Sequence, residues 1–497
     1  MNVSRKQQTE YAILVVILVI AIFVRVEKLD SSLWYDEIMT LVAYIRLSVV
    51  DLLSIHSSFN NHPFYSLQAK ASVLLFGESN WSVRLPAAFF GIASIAVLWR
   101  LAYRISGTFQ AHVSALLLAL SYHHVWFSQN ARGYTELLFW CVASTMILIN
   151  CLRTPSWRWW IAYGLVISAG MYTHLTAAFF FLAQAIIVGV VLLRKKHTYL
   201  AENGVSEKDQ WLMPLIGLLT GALLTLLVYS PSIVHLYDSV MNVSNTSAID
   251  VMKEYQSPIW AALEIVRSFA RPGPVTTMIV LAAAFLTGTG MVSIFRKEPL
   301  VPVLLMLHIA ITLTVLMALS MRIWPRFFFI DIGFVLLFIT QGVFVCCQQI
   351  ALFVENKTRF NFTVMNFFVV SSALMIAISC VLLVRNYQFP KQDFESSIKF
   401  IAERKLKTDK IVTIGLAAEP YQTYYEKDWP AIKSEEDLRK MENEASNTWL
   451  VIIFPTRTFR KFDGIMNYVE KNYTLAKTFR GTLQNGNILV FKSNSQD

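Results

Sequence analysis

The chain has 497 residues, 55% of them hydrophobic and only 15% charged, against roughly 25% charged residues in a typical soluble domain. With a mean hydropathy of +0.49, this composition excludes a soluble enzyme and describes a polytopic membrane protein. The formal charge of +10 does not point to nucleic acid either. From Tyr387 onward there are 17 basic and 15 acidic residues, leaving 26 basic and 18 acidic residues among the apolar segments, where a positive-inside bias collects base.

Apolar runs of spanning length, about 20 residues, fall in chain order at 11–27, 85–104, 109–126, 134–152, 159–173, 175–193, 211–235, 275–295, 300–320, 327–348 and 364–386. The predicted architecture is a polytopic α-helical membrane domain over 1–386, with about eleven spans. Arg5 and Lys6 precede the first run and no small-residue cleavage site follows it, so it reads as an uncleaved span. With a cytoplasmic N-terminus, Arg100/Arg104, Arg153/Arg158, Arg194-Lys195-Lys196, Arg296-Lys297 and Lys357/Arg359 all fall on the cytoplasmic side, as positive-inside topology requires. An odd span count then places the tail outside. The division that decides this is Met171-Tyr172-Thr173-His174, the polar break between the fifth and sixth runs.

Two stretches, 28–84 and 236–274, are too long and polar for ordinary connections. In the first, Ile38, Leu41, Val42, Ile45, Val49, Leu52 and Leu53 recur at helical spacing, and Phe64 to Phe76 is apolar after Pro63; both read as amphipathic helices in the membrane interface. The tail, 387–497, reads as a small α/β domain: helices at 391–405, 435–444 and 459–470, strands at 410–415 and 449–454, and a terminal hairpin of 474–480 with 487–492. It has no Gly-rich phosphate loop. Tyr421, Tyr424, Tyr425 and Trp429 are either core or a stacking surface for sugar rings. The five cysteines all lie in or beside apolar runs, with no zinc spacing and no disulfide framework.

Residues suited to chemistry collect at the outer ends of the spans. Leu33-Trp34-Tyr35-Asp36-Glu37 places two carboxylates at the hydrocarbon boundary, where acids face a cavity or a partner. Helical neighbours diverge by about 100 degrees, so Asp36 and Glu37 cannot aim at one atom: one can act as base while the other positions a partner. Their plainer reading is as helix N-terminal acids. Asn61-His62-Pro63-Phe64-Tyr65 opens the second interfacial helix, and Arg84 in Trp81-Ser82-Val83-Arg84-Leu85-Pro86 sits where snorkelling is the plain reading. Trp126 to Tyr134 (Trp-Phe-Ser-Gln-Asn-Ala-Arg-Gly-Tyr) carries Gln129, Arg132 and Tyr134, with Glu136 just beyond, and Met321 to Phe327 carries Arg322 and Arg326. Guanidinium forks suit phosphate oxygens. An acid opposite a phosphate-bearing leaving group suits group transfer.

The order of these motifs resembles the membrane-embedded GT-C glycosyltransferases, in the bacterial branch similar to protein O-mannosyltransferases and lipid A aminoarabinose transferases. The resemblance runs from Leu33-Trp34-Tyr35-Asp36-Glu37 through His62-Pro63-Phe64-Tyr65, Arg84-Leu85-Pro86, Tyr122 to Tyr134 and Tyr172-Thr173-His174 to Pro325-Arg326-Phe327. It implies transfer of a sugar, a hexose or a pentose, from a polyprenyl-phosphate donor to a glycan, lipid or protein acceptor at the extracytoplasmic face of a bacterial plasma membrane, with inversion. Carried over, Asp36 is the base with Glu37 beside it. His62, Arg84, Gln129, Arg132, Tyr134 and Arg326 become donor-phosphate or substrate-binding residues. Asn130 stands where the family's Ser-Gln-Glu-Ala-Arg pattern has Glu, and Phe64 where it has a second Pro. The first departure leaves a metal requirement open, with Asp36, Glu37 and His62 as candidate ligands for one divalent cation. The competing reading is a transporter or lipid flippase, motivated by the span count and by the intramembrane Glu136 and His174. Against it, the sequence has no repeat or paired helix interruption of the kind transporters show.

Overall fold

The computed structural model describes residues 5–55, 61–193, 206–241, 253–269, 273–357, 363–482 and 485–494. The basic residues Arg194-Lys195-Lys196 and Arg359 lie outside them. A helix occupies each of the eleven apolar runs. Among the described residues eight helices are long and apolar enough to cross a membrane, which makes this a multi-pass membrane protein; helices Thr108–Leu120, Trp157–Thr173 and Ala177–Leu193 are shorter.

The chain opens with α1 (Arg5–Val26) and enters the long first loop, 28–84, where α2 (Tyr35–Thr40) continues through one π-helical turn, Leu41–Ile45, and α3 (Val49–Ser54) follows. The spacing predicts one continuous helix over 38–53. It is interrupted because Ser48 leaves the helical path and caps α3 through the Asp51 N–H at 3.1 Å, the usual role of an N-cap serine. Then come α4 (Pro63–Phe76), α5 (Asn80–Ile105), α6 (Thr108–Leu120), α7 (Tyr122–Ser128), α8 (Tyr134–Arg153), α9 (Trp157–Thr173) and α10 (Ala177–Leu193). The expected single run 109–126 is thus two helices, split where Ser121 turns extended and caps α7. The break between α9 and α10 is real: His174 adopts extended backbone and ends α9.

The main apolar core gathers α1, α5, α6, α8, α9 and α10 with the later helices Leu300–Ala318 and Ile332–Lys357. Helix Val364–Gln388 lies outside it and Pro274–Phe295 joins it near its end through Met291 and Ile294; the two turn Val275, Met278, Leu281, Val370, Leu374 and Val381 outward, the arrangement a lipid solvent demands. Pro274–Phe295 meets Ile332–Lys357 backbone to backbone. A Cβ on Gly290 would stand 1.9 Å from the Phe338 carbonyl oxygen, and one on Gly342 2.0 Å from that of Leu286. Small residues permit such approach in membranes. Gly290→Leu and Gly342→Leu should each cost at least about 2 kcal/mol, read as a lower thermal midpoint in detergent. Gly288→Leu, with nothing within 4 Å of its added Cβ, should leave the midpoint unchanged.

The tail builds one five-stranded sheet in the order β2-β1-β3-β5-β4 from β1 (Lys410–Ile414), β2 (Ala431–Ile432), β3 (Thr448–Ile453), β4 (Tyr473–Phe479) and β5 (Ile488–Ser493). β1 is parallel to β2 and β3; β5 is antiparallel to β3 and β4. The central β3 is buried at every position, which is why it reads as an unbroken apolar run. Its alternate faces serve two cores. Leu450 and Ile452 pack with Leu438, Ile465, Met466 and Val469 of two helices, whereas Trp449, Val451 and Ile453 belong to a cluster with Leu33, Ile38, Leu41, Ile45, Tyr65 and Ala69 of the first loop. The tail and that loop therefore share one apolar core. Tyr421 and Trp429 are buried in it, so of the two readings of the tail aromatics the core reading holds for these two.

Candidate active site

Trp34 is the N-cap of α2, because the residue three positions on, Glu37, reaches back and accepts the Trp34 N–H at 3.2 Å, half of a capping box. Asp36 and Glu37 therefore lie in one first turn and, as neighbours on a helix, face different partners. Asp36 Oδ2 accepts from Arg326 Nη1 at 3.1 Å and lies 3.6 Å from Arg132 Nη1. The Asp36 side chain retains 13% exposure and that of Arg326 30%, whereas Arg132 is buried at 2%, so the cluster is reached from the Arg326 side.

Glu37 is fully buried and bound from three directions. Arg84 Nε and Nη2 each donate to it at 2.7 Å, the Ala131 N–H donates at 2.7 Å, and Lys391 Nζ lies 3.4 Å away. Burial opposes the charge on Glu37, but Arg84 and then Lys391 outweigh it and hold this carboxyl at about 2. Lys391 moves the other way: burial and the Arg84 charge pull it down to about 7, against the pull of Glu37. The bidentate Arg84 pair is the one that keeps Glu37 ionised, because guanidinium does not release its proton.

The turn between α7 and α8 spends four consecutive residues on partners from other parts of the chain. Gln129 Nε2 donates to the Arg25 and Glu27 carbonyls at the end of α1, at 3.0 and 2.6 Å, and its Oε1 accepts from Asn386 at 2.8 Å. Asn130 Oδ1 accepts the Trp34 indole N–H at 3.0 Å, the Ala131 N–H binds Glu37, and Arg132 reaches Asp36. Gly133 follows because a Cβ there would stand 2.8 Å from Thr173 Cγ2 and 3.1 Å from His62 Nδ1. Tyr134 then opens α8, its ring 5.0 Å from that of His62 and 5.7 Å from the Arg132 guanidinium. His62 is buried, 4.5 Å from the ring of His174.

Of the expected site residues, Asp36, Arg132 and Arg326 come together, and Tyr134 adjoins Arg132. Three take other parts. Arg84 is not a phosphate donor: Glu37, the Leu29, Ser31 and Ser32 carbonyls and Ser31 Oγ occupy its guanidinium, which has five N–H groups to give. Gln129 ties the turn to the end of α1 and to Asn386. Glu37 is a buried counter-ion and cap, not a second exposed acid. The ring cluster of His62 with Tyr134 and His174 is buried and braces the turn. Glu37 turns to Arg84, and among the described residues no group of three His, Cys, Asp or Glu side chains gathers for a metal. Of the residues behind the transporter reading, Glu136 accepts from Gln68 at 2.6 Å and His174 ends α9, its Nδ1 2.7 Å from Thr176 Oγ1.

Two residues escaped the sequence reading. Lys391, besides Glu37, donates to the Gln129 carbonyl and lies 5.2 Å from the Trp126 ring, and Gln392 Oε1 accepts the Tyr35 N–H at 2.8 Å. No local signal marks them, because their partners lie more than 260 positions earlier in the chain.

A helical first loop, a site at one set of span ends and an α/β tail packed on that loop define a GT-C fold. Among solved structures, the chain is similar to ArnT from Cupriavidus metallidurans bound to undecaprenyl phosphate, with a TM-score of 0.51, 14% identity, and coverage of 97% of this chain and 98% of that one. It is also similar to the oligosaccharyltransferase of Archaeoglobus fulgidus tethered to an acceptor peptide, with a TM-score of 0.54, 10% identity, and coverage of 97% and 74%. In sequence, the dolichyl-phosphate-mannose-protein mannosyltransferase family matches residues 60–235. The putative mannosyltransferase YkcB of Bacillus subtilis (strain 168) is 22% identical over 213 residues, 39% of this chain and 28% of that relative's length. The resemblance drawn from the motifs is the one these comparisons return.

Proposed function

We propose that this chain is a glycosyltransferase that moves a sugar from a polyprenyl-phosphate donor to a hydroxyl of an acceptor, with inversion, at the extracytoplasmic face of a bacterial plasma membrane, and that its tail faces the same side. The observation that carries this reading is Asp36, an accessible carboxylate held between Arg132 and Arg326.

That arrangement supplies both halves of a displacement. A donor phosphate competes with Asp36 for the two guanidiniums, since it offers more anionic oxygens to the same forks. As the arginines turn to phosphate, Asp36 is left free to accept a proton. The acceptor oxygen then attacks the anomeric carbon, its proton passes to Asp36, and the carbon–oxygen bond to phosphate breaks with its electron pair staying on the phosphate. Negative charge grows on that phosphate during the step, so fixed cations stabilise the transition state more than the ground state. Glu37 is a positioning residue in this scheme: it joins α2, Arg84, the Ala131 turn and Lys391, and so sets where Asp36 and Arg132 stand.

Membranes carrying the chain, supplied with a panel of radiolabelled polyprenyl-phosphate hexoses and pentoses, should move label from one of them into a lipid, protein or polysaccharide fraction. Arg132→Gln should lower that transfer by about 10²-fold, the order seen when one transition-state donor is removed. A folded wild-type chain that moves label from none of the donors overturns the proposal.

A further inference from the structure

Two guanidiniums beside the site take no part in the scheme above. Arg322 is half-buried on the segment after helix Leu300–Ala318, 6.0 Å from the centre of the Trp324 ring; Arg326 lies 4.9 Å from the same ring. Arg457 is half-buried on the tail helix Pro455–Lys461. Among the described residues neither Arg322 nor Arg457 has a carboxylate within ion-pair distance, whereas Arg326 has Asp36 and Arg460 has Glu254.

Contacts at both ends of the tail helix place Arg457. Phe454, immediately before the helix, has left-handed backbone at φ 49°, and its ring meets the Tyr35 ring edge-on at 5.6 Å. A non-glycine residue in that region carries strain that surrounding contacts must sustain. One turn beyond Arg457, and on the same helix face, Arg460 pairs with Glu254. The ring of the next residue, Tyr255, lies 4.6 Å from that of Trp324, tilted by 50°, and the Tyr255 carbonyl accepts the Ile323 N–H at 2.7 Å. The helix therefore bridges from the residue beside Asp36 to the segment that holds Arg322. Electrostatics agree with that placement: burial, then the like charges of Arg457 and Arg326, lower the Arg322 guanidinium from its ordinary value.

Like charges brought together and partly dehydrated are costly unless an anion joins them. We infer that Arg322 and Arg457 form a second oxyanion subsite across the seam between the 321–326 segment and the tail, which takes a phosphate or carboxylate group of the acceptor beside the donor phosphate held by Arg132 and Arg326. The identity of the neighbouring group rests on the proposed function; anion binding at Arg322 and Arg457 does not. The same chemistry would fit the second phosphate of a diphosphate-linked donor, so the test separates the two.

The full chain in phosphatidylcholine nanodiscs is to be titrated with radiolabelled inorganic phosphate, alone and with saturating undecaprenyl phosphate or undecaprenyl diphosphate. One inorganic phosphate per chain should still bind with undecaprenyl phosphate present. Arg322→Gln and Arg457→Gln should each weaken it at least about tenfold, leave undecaprenyl phosphate affinity unchanged and hold or raise the phosphate-free thermal midpoint, since each removes one of two like charges. One-for-one competition between inorganic and undecaprenyl phosphate, or unaltered phosphate binding in both variants, overturns the subsite. Displacement by the diphosphate lipid alone assigns the site to the donor and overturns the acceptor assignment. Arg322-dependent phosphate binding in a chain that ignores undecaprenyl phosphate leaves the subsite standing and sinks the donor reading instead.

Discussion

Asp36→Asn should lower kcat for sugar transfer by about 10³-fold, within the range for loss of a general base, while the chain still inserts, folds and binds undecaprenyl phosphate. The amide keeps the shape of the carboxylate but cannot take the acceptor proton. It also ceases to compete for Arg132 and Arg326, which stand 3.6 and 3.1 Å from Asp36 Oδ2, so affinity for the phosphate lipid should hold or rise. That split between binding and turnover distinguishes a base from a structural acid, whose loss would weaken both. Single-turnover transfer with purified chain in nanodiscs measures it, and transfer at the wild-type rate would remove Asp36 from the chemistry.

Glu37→Gln should act in the opposite manner, through stability. Breaking a buried ion pair by removing one partner costs about 3–5 kcal/mol, and here it strands Arg84 with no exposed surface and leaves Lys391 without its carboxylate. A sharply shortened lifetime in detergent at fixed temperature is the expected reading, with Arg84→Met showing a comparable loss. The pH dependence has a definite sign. Glu37 is held at about 2 in the folded chain, below the roughly 4.3 of a free glutamate. Its contribution is therefore present above pH ~4.3 and disappears as pH falls toward 2. Wild type should lose lifetime across that window, and Glu37→Gln, already without the charge, should lose less. Equal acid sensitivity in both chains would count against Glu37 as the ionised centre of the loop.

The site was legible in part, and the dividing line is physical. The divergence of adjacent helical side chains separated the roles of Asp36 and Glu37 before any partner was known, and the paired arginine segments at 132 and 326 were visible as motifs at one set of span ends. What the reading assigned to substrate at Arg84 and Gln129 the fold uses for itself, because an arginine or amide at a span boundary looks alike whether it meets phosphate or carbonyl oxygens. Asn130, which departs from the family pattern, serves as acceptor for Trp34, a role for which an amide oxygen suffices.

By itself the sequence determined the membrane class, the positions of the apolar helices and the alternation of helix and strand in the tail, all consequences of hydrophobic content and periodicity within about twenty neighbouring residues. Only the tertiary structure decided that Asp36 meets Arg326 across 290 positions and that Glu37 meets Lys391 across 354. It also decided that the tail shares a core with the first loop, and that the 38–53 helix breaks at Ser48. Ion-pair choice depends on which side chains arrive together in a low-dielectric interior, where an unpaired charge is expensive, and local sequence carries no record of that meeting.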